Sequence, residues 1–171
     1  MHLVEQVVAR NDPDPKALAC YGLLVRQQVS GEPLTAPRGE RFWLRFVEGR
    51  PVSAVTIEFL LWSCAKLDAV GVSVLVLVWD NAGWHVSREV RAWVRAHNQA
   101  VKRTGRGVRL LVCYLPVKSP WLNAIEPKWV HGKRRITEPA RLLSAREVED
   151  RVCQALHCPL TDHLALPQEV A

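Results

Sequence analysis

The chain has 171 residues, of which 49% are hydrophobic and 23% are charged, and its formal net charge at pH 7 is +6. This composition suits one compact globular domain with a hydrophobic core. No stretch approaches the ~20 uninterrupted apolar residues that a membrane helix needs, and the first residues do not resemble a signal peptide. We therefore expect a cytoplasmic protein. Its five cysteines contain no CxxC pair, which argues against a disulfide framework.

The first half of the chain predicts two strands, a helix and a third strand. Residues 16–26 and 41–48 are predicted to be strands because apolar residues dominate them and a loop rich in turn residues separates them. Residues 51–71 keep helical apolar spacing, with Pro at the start and Gly at the end. The continuous apolar run at 72–79 then predicts a fully buried strand.

The second half predicts a helix, a strand and two further helices. Ser87 can cap the first of these helices, which has an apolar face that includes His97 and an opposite basic face. Residues 107–116 form the next apolar strand, and a capping box from Ser144 to Glu147 marks the last helix. The predicted order is β-β-α-β-α-β-α-α. This pattern indicates an α/β sheet covered by helices on both faces, with chemistry at the strand ends.

The positive charge is concentrated in one part of the chain. From Arg88 to Arg135 there are twelve Lys or Arg residues and two acidic residues, so the rest of the chain is slightly acidic. Such a basic segment can be no more than a solvated surface. Directly after an apolar strand that ends in a carboxylate, however, it favours a polyanionic partner, and nucleic acid is the first candidate.

Two carboxylates in this region suggest a divalent-metal site. Asp80 directly follows the buried strand, where a rigid carboxylate suits Mg²⁺, although Asp80–Gly83 also has the composition of a simple turn. Glu126 follows the next strand. If Asp80 and Glu126 meet above neighbouring strands, they provide half of a divalent-metal site among cations that can hold a phosphate backbone. That arrangement would serve phosphoryl transfer.

Two linked motifs resemble a known family. The stretches "WDNAGWHVSREVRAWVRAHN" and "LLVCYLPVKSPWLNAIEPKWVHGKRR" resemble the catalytic domain of DDE transposases, in the mariner-related bacterial insertion-sequence branch. The likeness covers residues 1–150 and leaves 151–171 as a helix end and tail. It implies a ribonuclease H-like fold, in which a mixed sheet is flanked by helices, and metal-dependent DNA cleavage and strand transfer in DNA transposition. In the family, two Asp and one Glu hold two Mg²⁺ or Mn²⁺ ions.

The resemblance also implies roles for single residues. Asp80 matches the second Asp of the family, and Glu126 matches its Glu, so these two are the expected catalytic and metal-binding residues. Asn81, His85 and Asn123 match positions that support the site. DNA at the element ends and at the target is the implied partner, a homodimer is compatible with the resemblance, and no small-molecule cofactor is implied. The expected DNA-binding residues are Arg88, Arg91, Arg95, Lys118, Lys128, Lys133, Arg134 and Arg135.

One family residue has no counterpart in the sequence. The first Asp of the family lies on the central strand, and no such strand precedes residues 16–26. Asp12 and Asp14 lie in a proline-rich turn, and Asp68 lies near a helix end. We therefore expect a chain that is truncated at its N-terminus, lacks the first, central strand and is inactive alone. The alternative is a catalytically inactive remnant of an insertion sequence, at most a DNA-binding or dimerising competitor.

Overall fold

The structure is a computed structural model, and it describes residues 18–26, 39–47, 51–136 and 143–165. The order of its strands and longer helices confirms the predicted order. The elements are β1 (Ala19–Val25), β2 (Arg41–Val47), α1 (Ser53–Asp68), β3 (Val74–Trp79), α2 (Arg88–Thr104), β4 (Arg109–Tyr114), a 3-10 turn (Pro120–Leu122), α3 (Glu126–Ile136) and α4 (Ala145–Leu156). β1 pairs with β2 and β3 pairs with β4, which gives two small sheets in a mixed α/β fold. None of the helices in the described ranges could cross a membrane.

The chain divides into two compact units. The first unit contains Met1–Phe46 and Ala124–His163, and therefore includes β1, α3 and α4 with most of β2. The second unit contains Val47–Asn123 and Leu164–Ala171, and therefore includes α1, β3, α2 and β4. The assignment of residues 1–150 to one catalytic domain stays a prediction.

The core of the first unit forms between β2 and α4. Alternate residues of β2, Phe42, Leu44 and Phe46, are buried, as expected for a strand with one face on a core. Val152 and Cys153 of α4 complete the buried cluster. The predicted capping box starts α4, because the Ser144 hydroxyl accepts from the Glu147 amide and the Glu147 carboxylate accepts from the Ser144 amide.

The second unit is built on the parallel pair β3 and β4. Val74 lies beside Arg109 at one end of the pair, and Trp79 lies beside Tyr114 at the other. The predicted cap of α2 is confirmed, since the Ser87 hydroxyl accepts from the Val90 amide at 3.1 Å. The same hydroxyl accepts a hydrogen bond from Ser53, the first residue of α1, at 2.8 Å. The starts of α1 and α2 are therefore fixed to each other.

Side chains of α2 occupy the outer edge of β4. The Asn98 amide group donates to the Leu110 carbonyl at 2.8 Å and accepts from the Leu110 amide at 2.8 Å. His97 Nε2 lies 2.8 Å from the Val108 carbonyl oxygen, which agrees with the packed role that its position on the helix predicts. These contacts satisfy backbone groups that a neighbouring strand would otherwise pair.

The prediction that β3 is buried on both faces is wrong. Leu77 and Trp79 are buried, but Val74, Val76 and Val78 on the opposite face are 45%, 57% and 50% exposed. An apolar run alone does not show that both faces of a strand are covered, because coverage depends on what packs there. In this chain one face of β3 packs against the core and the other is half exposed.

α3 begins at Glu126. The Ile125 carbonyl accepts from the amides of Lys128 and Trp129 at 3.0 and 3.1 Å, so these are the first hydrogen bonds of the helix. Pro127 therefore lies in the first turn, where its missing N–H has no intrahelical partner to lose. Asn123 precedes the helix rather than beginning it.

Candidate active site

The site at the end of β3 is held by bonds that continue beyond the strand pair. The Leu115 amide donates to the Trp79 carbonyl at 3.0 Å, which extends the pairing past the last residue of β4. The Asn81 side-chain amide then donates to the Leu115 carbonyl at 2.6 Å. Asn81 therefore joins the loop after β3 to the loop after β4, and its predicted role in supporting a metal site stays a prediction.

The two oxygens of the Asp80 carboxylate have different surroundings. Oδ1 accepts from the Ala82 amide at 3.0 Å and lies 2.7 Å from His85 Nδ1. Within the described residues, Oδ2 has no hydrogen bond or ion pair, and the side chain is 47% exposed. The turn interpretation of Asp80 is therefore correct for Oδ1, while Oδ2 is left for another ligand. A turn at Asp80 is therefore compatible with a metal site, because the turn uses only one of the two carboxylate oxygens.

Aromatic rings hold His85 in place beside Asp80. The His85 and Trp79 rings stack with centroids 4.7 Å apart and planes 7° apart, and the Trp84 and His85 rings are nearly perpendicular, with centroids 5.9 Å apart. The backbone bond from the His85 amide to the Ala82 carbonyl, 2.8 Å, turns the chain back toward the strand end. Neither Trp79 nor Trp84 was predicted from the sequence as a site residue. The signal that could have found Trp79 is its place next to Asp80 on the inward face of β3.

The remaining predicted site residues lie elsewhere in the chain. Glu126 is the first residue of α3, is partly buried and belongs to the first unit, whereas Asp80 belongs to the second. Asn123 is partly buried and ends the main segment of the second unit. Across the described ranges, no three His, Cys, Asp or Glu side chains form a group that could hold a metal ion. The pairing of Asp80 with Glu126 stays a prediction.

The predicted DNA-binding residues of the second unit are exposed. Arg88, Arg91 and Arg95 lie along one side of α2, and the Arg91 guanidinium lies over the Tyr114 ring at 5.4 Å from its centroid. Lys118 is exposed in the loop after β4 and has a positive φ of 59°. This unit therefore presents cations on the helix that follows the Asp80 loop in the chain.

Lys128, which is one of the predicted DNA-binding residues in the first unit, forms an ion pair. Its ammonium lies 2.8 Å from Glu40 Oε2, and Arg26 lies 2.7 Å from the other oxygen of Glu40. The hydrogen bonds from Lys128 and Arg26 hold the pKa of Glu40 below its ordinary value. The other predicted cations of this unit are exposed on the last turn of α3, namely Lys133, Arg134 and Arg135.

Comparison with known families gives a match over most of the chain. The family model described as DDE superfamily endonuclease matches residues 34–149. The matched range includes Asp80 and Glu126 as well as the whole basic segment. Comparison with curated proteins and with solved structures gave no significant match.

Proposed function

The chain belongs to the DDE superfamily of endonucleases, and on that premise we propose that it is the catalytic portion of a transposase that cleaves and joins DNA. The more detailed assignment is to the mariner-related bacterial insertion-sequence branch, with cleavage at element ends and transfer of the 3′ ends to target DNA. The observation that carries the proposal is the Asp80 carboxylate, which is fixed through one oxygen at a strand end and open at the other.

Asp80 and Glu126 are the proposed metal-binding carboxylates. The surroundings of Asp80 fit a hard cation, because Oδ2 can bind one while Oδ1 keeps its two hydrogen bonds. Members of the superfamily generally use divalent metals. When bound, Mg²⁺ or Mn²⁺ would supply positive charge for the attacking and leaving oxygens of the phosphate. The contribution of Asn81 is to hold the loop that carries Asp80 against the loop after β4.

The third carboxylate of the family triad is proposed to come from a strand paired with the open edge of β3. Within the described part of the chain, β4 is the one strand that pairs with β3, whereas side-chain bonds from Asn98 occupy the outer edge of β4. A further strand in the second unit would therefore add at β3, beside Asp80. Asp12 and Asp14 lie outside the described residues.

Exposed cations on α2 are proposed to contact the DNA backbone. Arg88 and Arg95 are exposed, and α2 begins shortly after the loop that carries Asp80. Contacts of this kind position a duplex without reading its sequence, and they release counterions. We expect weak, sequence-independent binding that weakens steeply as salt rises.

The DNA contacts are tested by measuring the affinity for a fluorescent duplex over a range of salt concentrations. Replacing Arg88 and Arg95 together with Gln should reduce the slope of log K against log salt by about 2, because each phosphate contact contributes about 0.9. Lys128→Gln is the matched control and should leave the slope unchanged, because Glu40 already neutralises this cation. A flat salt response of the parent chain would contradict the proposed contacts.

The proposed activity is tested with supercoiled plasmid in the presence of Mg²⁺ or Mn²⁺. We expect no nicking by the chain alone, and metal-dependent nicking once a strand carrying the family's first Asp is fused to it. Asp80→Asn and Glu126→Gln should each abolish that nicking. Asp68→Asn, at an exposed acid in the second unit, is the matched control and should retain it.

The outcomes separate the proposal from its alternative. If the fused protein binds DNA but never nicks it, the chain is a catalytically inactive remnant of an insertion sequence. If the chain alone nicks DNA and Glu126→Gln stops the reaction, the third carboxylate lies within these residues. Asp12→Asn and Asp14→Asn would then identify it.

A further inference from the structure

The contact between His85 and Asp80 determines which carboxylate oxygen is left for a metal. We propose that His85 is a positioning residue whose Nδ1–H holds Asp80 Oδ1 and directs Oδ2 toward the cation. This inference rests on the proposed function, because it assumes that Asp80 is a metal ligand. It specifies the supporting role that the resemblance implies for His85, as a hydrogen bond to one oxygen of Asp80.

The direction of the hydrogen bond between His85 and Asp80 follows from the chemistry of the acceptor. An ionised carboxylate only accepts hydrogen bonds, so the 2.7 Å contact requires the proton on His85 Nδ1. The Ala82 amide donates to the same oxygen at 3.0 Å. With two donors on Oδ1, rotation of the carboxylate would break both bonds. Asp80 is thereby held in one orientation even though its side chain is 47% exposed.

The imidazole of His85 is held against the sheet by stacking. The His85 side chain is 18% exposed and lies nearly parallel to Trp79, with 4.7 Å between the centroids. Trp79 belongs to β3 and is itself buried, so the stacking partner is part of the sheet. Its Nε1 is buried without a hydrogen-bond partner among the described residues. Within the described residues, the indole of Trp79 therefore interacts through its ring faces, and one of these faces stacks on His85.

Positioning of Asp80 and metal ligation place different demands on His85. Nδ1 cannot both bind a metal and donate to Asp80, because ligation needs this nitrogen unprotonated and donation needs it protonated, so ligation would have to use Nε2. Substitutions distinguish the two roles. His85→Asn replaces the ring with an amide N–H close to the position of Nδ1, while His85→Phe keeps a ring that can stack on Trp79 but has no donor.

The test measures Mn²⁺ affinity of the full chain by electron paramagnetic resonance, and compares the melting temperatures of the variants. Loss of a residue that orients a metal ligand typically weakens binding 10–100-fold, so we expect a loss of about tenfold or more in His85→Phe. His85→Asn should stay within about threefold of the parent. A merely structural role would instead make affinity follow the melting temperature in both variants, and metal ligation by His85 would make both bind equally weakly.

A second measurement does not involve the metal. Long-range ¹H–¹⁵N correlation spectra of the metal-free chain report which ring nitrogen carries a proton, and we expect a protonated Nδ1 in His85. An unprotonated Nδ1 overturns the proposal. Parent-like affinity in His85→Phe overturns the positioning role and leaves the metal site intact. Failure of the parent chain to bind Mn²⁺ overturns the proposed metal site and the positioning role together.

Discussion

Replacing Gly22 of β1 with alanine tests how closely the first unit is packed around α3, the helix that begins with Glu126. A Cβ at Gly22 would lie 2.5 Å from Cζ2 of Trp129 and 3.0 Å from Cε1 of Phe42. Ordinary contacts of this kind are 3.4–4 Å. Gly22 does not have a positive φ, so its backbone conformation accepts alanine. The expected cost of the substitution therefore comes from the steric clash with Trp129 and Phe42.

The expected loss of stability follows from this geometry. The Trp129 ring must move by about 1 Å, and overpacking of this kind typically costs about 1–3 kcal/mol. The movement also disturbs the edge-on contact of Phe42 and Trp129, whose centroids are 5.2 Å apart. Such contacts contribute about 0.5–1.5 kcal/mol, while a Gly-to-Ala change restores about 0.4–1 kcal/mol by restricting the unfolded chain. We expect the free energy of unfolding to fall by about 2 kcal/mol.

Urea denaturation followed by far-UV circular dichroism measures this loss. In a Trp129→Leu background, where the ring is absent, Gly22→Ala should cost less than half as much, because the closest clash is gone. Gly83→Ala is the matched control, since a Cβ there meets nothing within 4 Å. Full stability of Gly22→Ala, or an undiminished cost without the Trp129 ring, would refute the packing argument.

Two further predictions concern titration and helix capping. Burial raises the pKa of Cys20 to about 11 from 9.0, so the thiol's contribution to stability is complete below pH 9 and is lost as the pH rises toward 11. Urea unfolding at several pH values should show that loss, and Cys20→Ser should reduce it; identical pH profiles would contradict the assignment. Ser144→Ala should lower the free energy of unfolding by about 1 kcal/mol, because it removes the capping box of α4. A melting temperature equal to that of the parent chain would show that the capping box contributes nothing to stability.

Features encoded by neighbouring residues could be predicted from the sequence. The caps at Ser87 and Ser144 were predicted because donor and acceptor lie within one helical turn of each other. The order of strands and helices was also predicted correctly, since apolar periodicity is a property of short segments. The turn at Asp80 belongs to the same class, because its amide partner, Ala82, is two residues away.

Features that depend on three-dimensional packing could not be predicted in this way. The half-exposed face of β3 has the same apolar residues as a buried one, so Val76 carries no local sign of its exposure. At the site, the sequence placed His85 near Asp80 but gave neither the oxygen that it contacts nor the stacking on Trp79. Both depend on the backbone path by which the turn brings the ring back over the strand, and the residue types alone do not specify that path.

The basic segment shows why a count of charges is not a count of contacts to DNA. A cation that already pairs with a carboxylate contributes less to phosphate binding, because the existing ion pair must be given up. Lys128 lies within the basic segment, yet it pairs with Glu40, a residue far away in the sequence that also pairs with Arg26. Arg88 and Arg95, in contrast, are exposed on α2. The cations available to a polyanion are therefore fewer than the sequence suggests, and those on α2 should account for more of the salt dependence than Lys128.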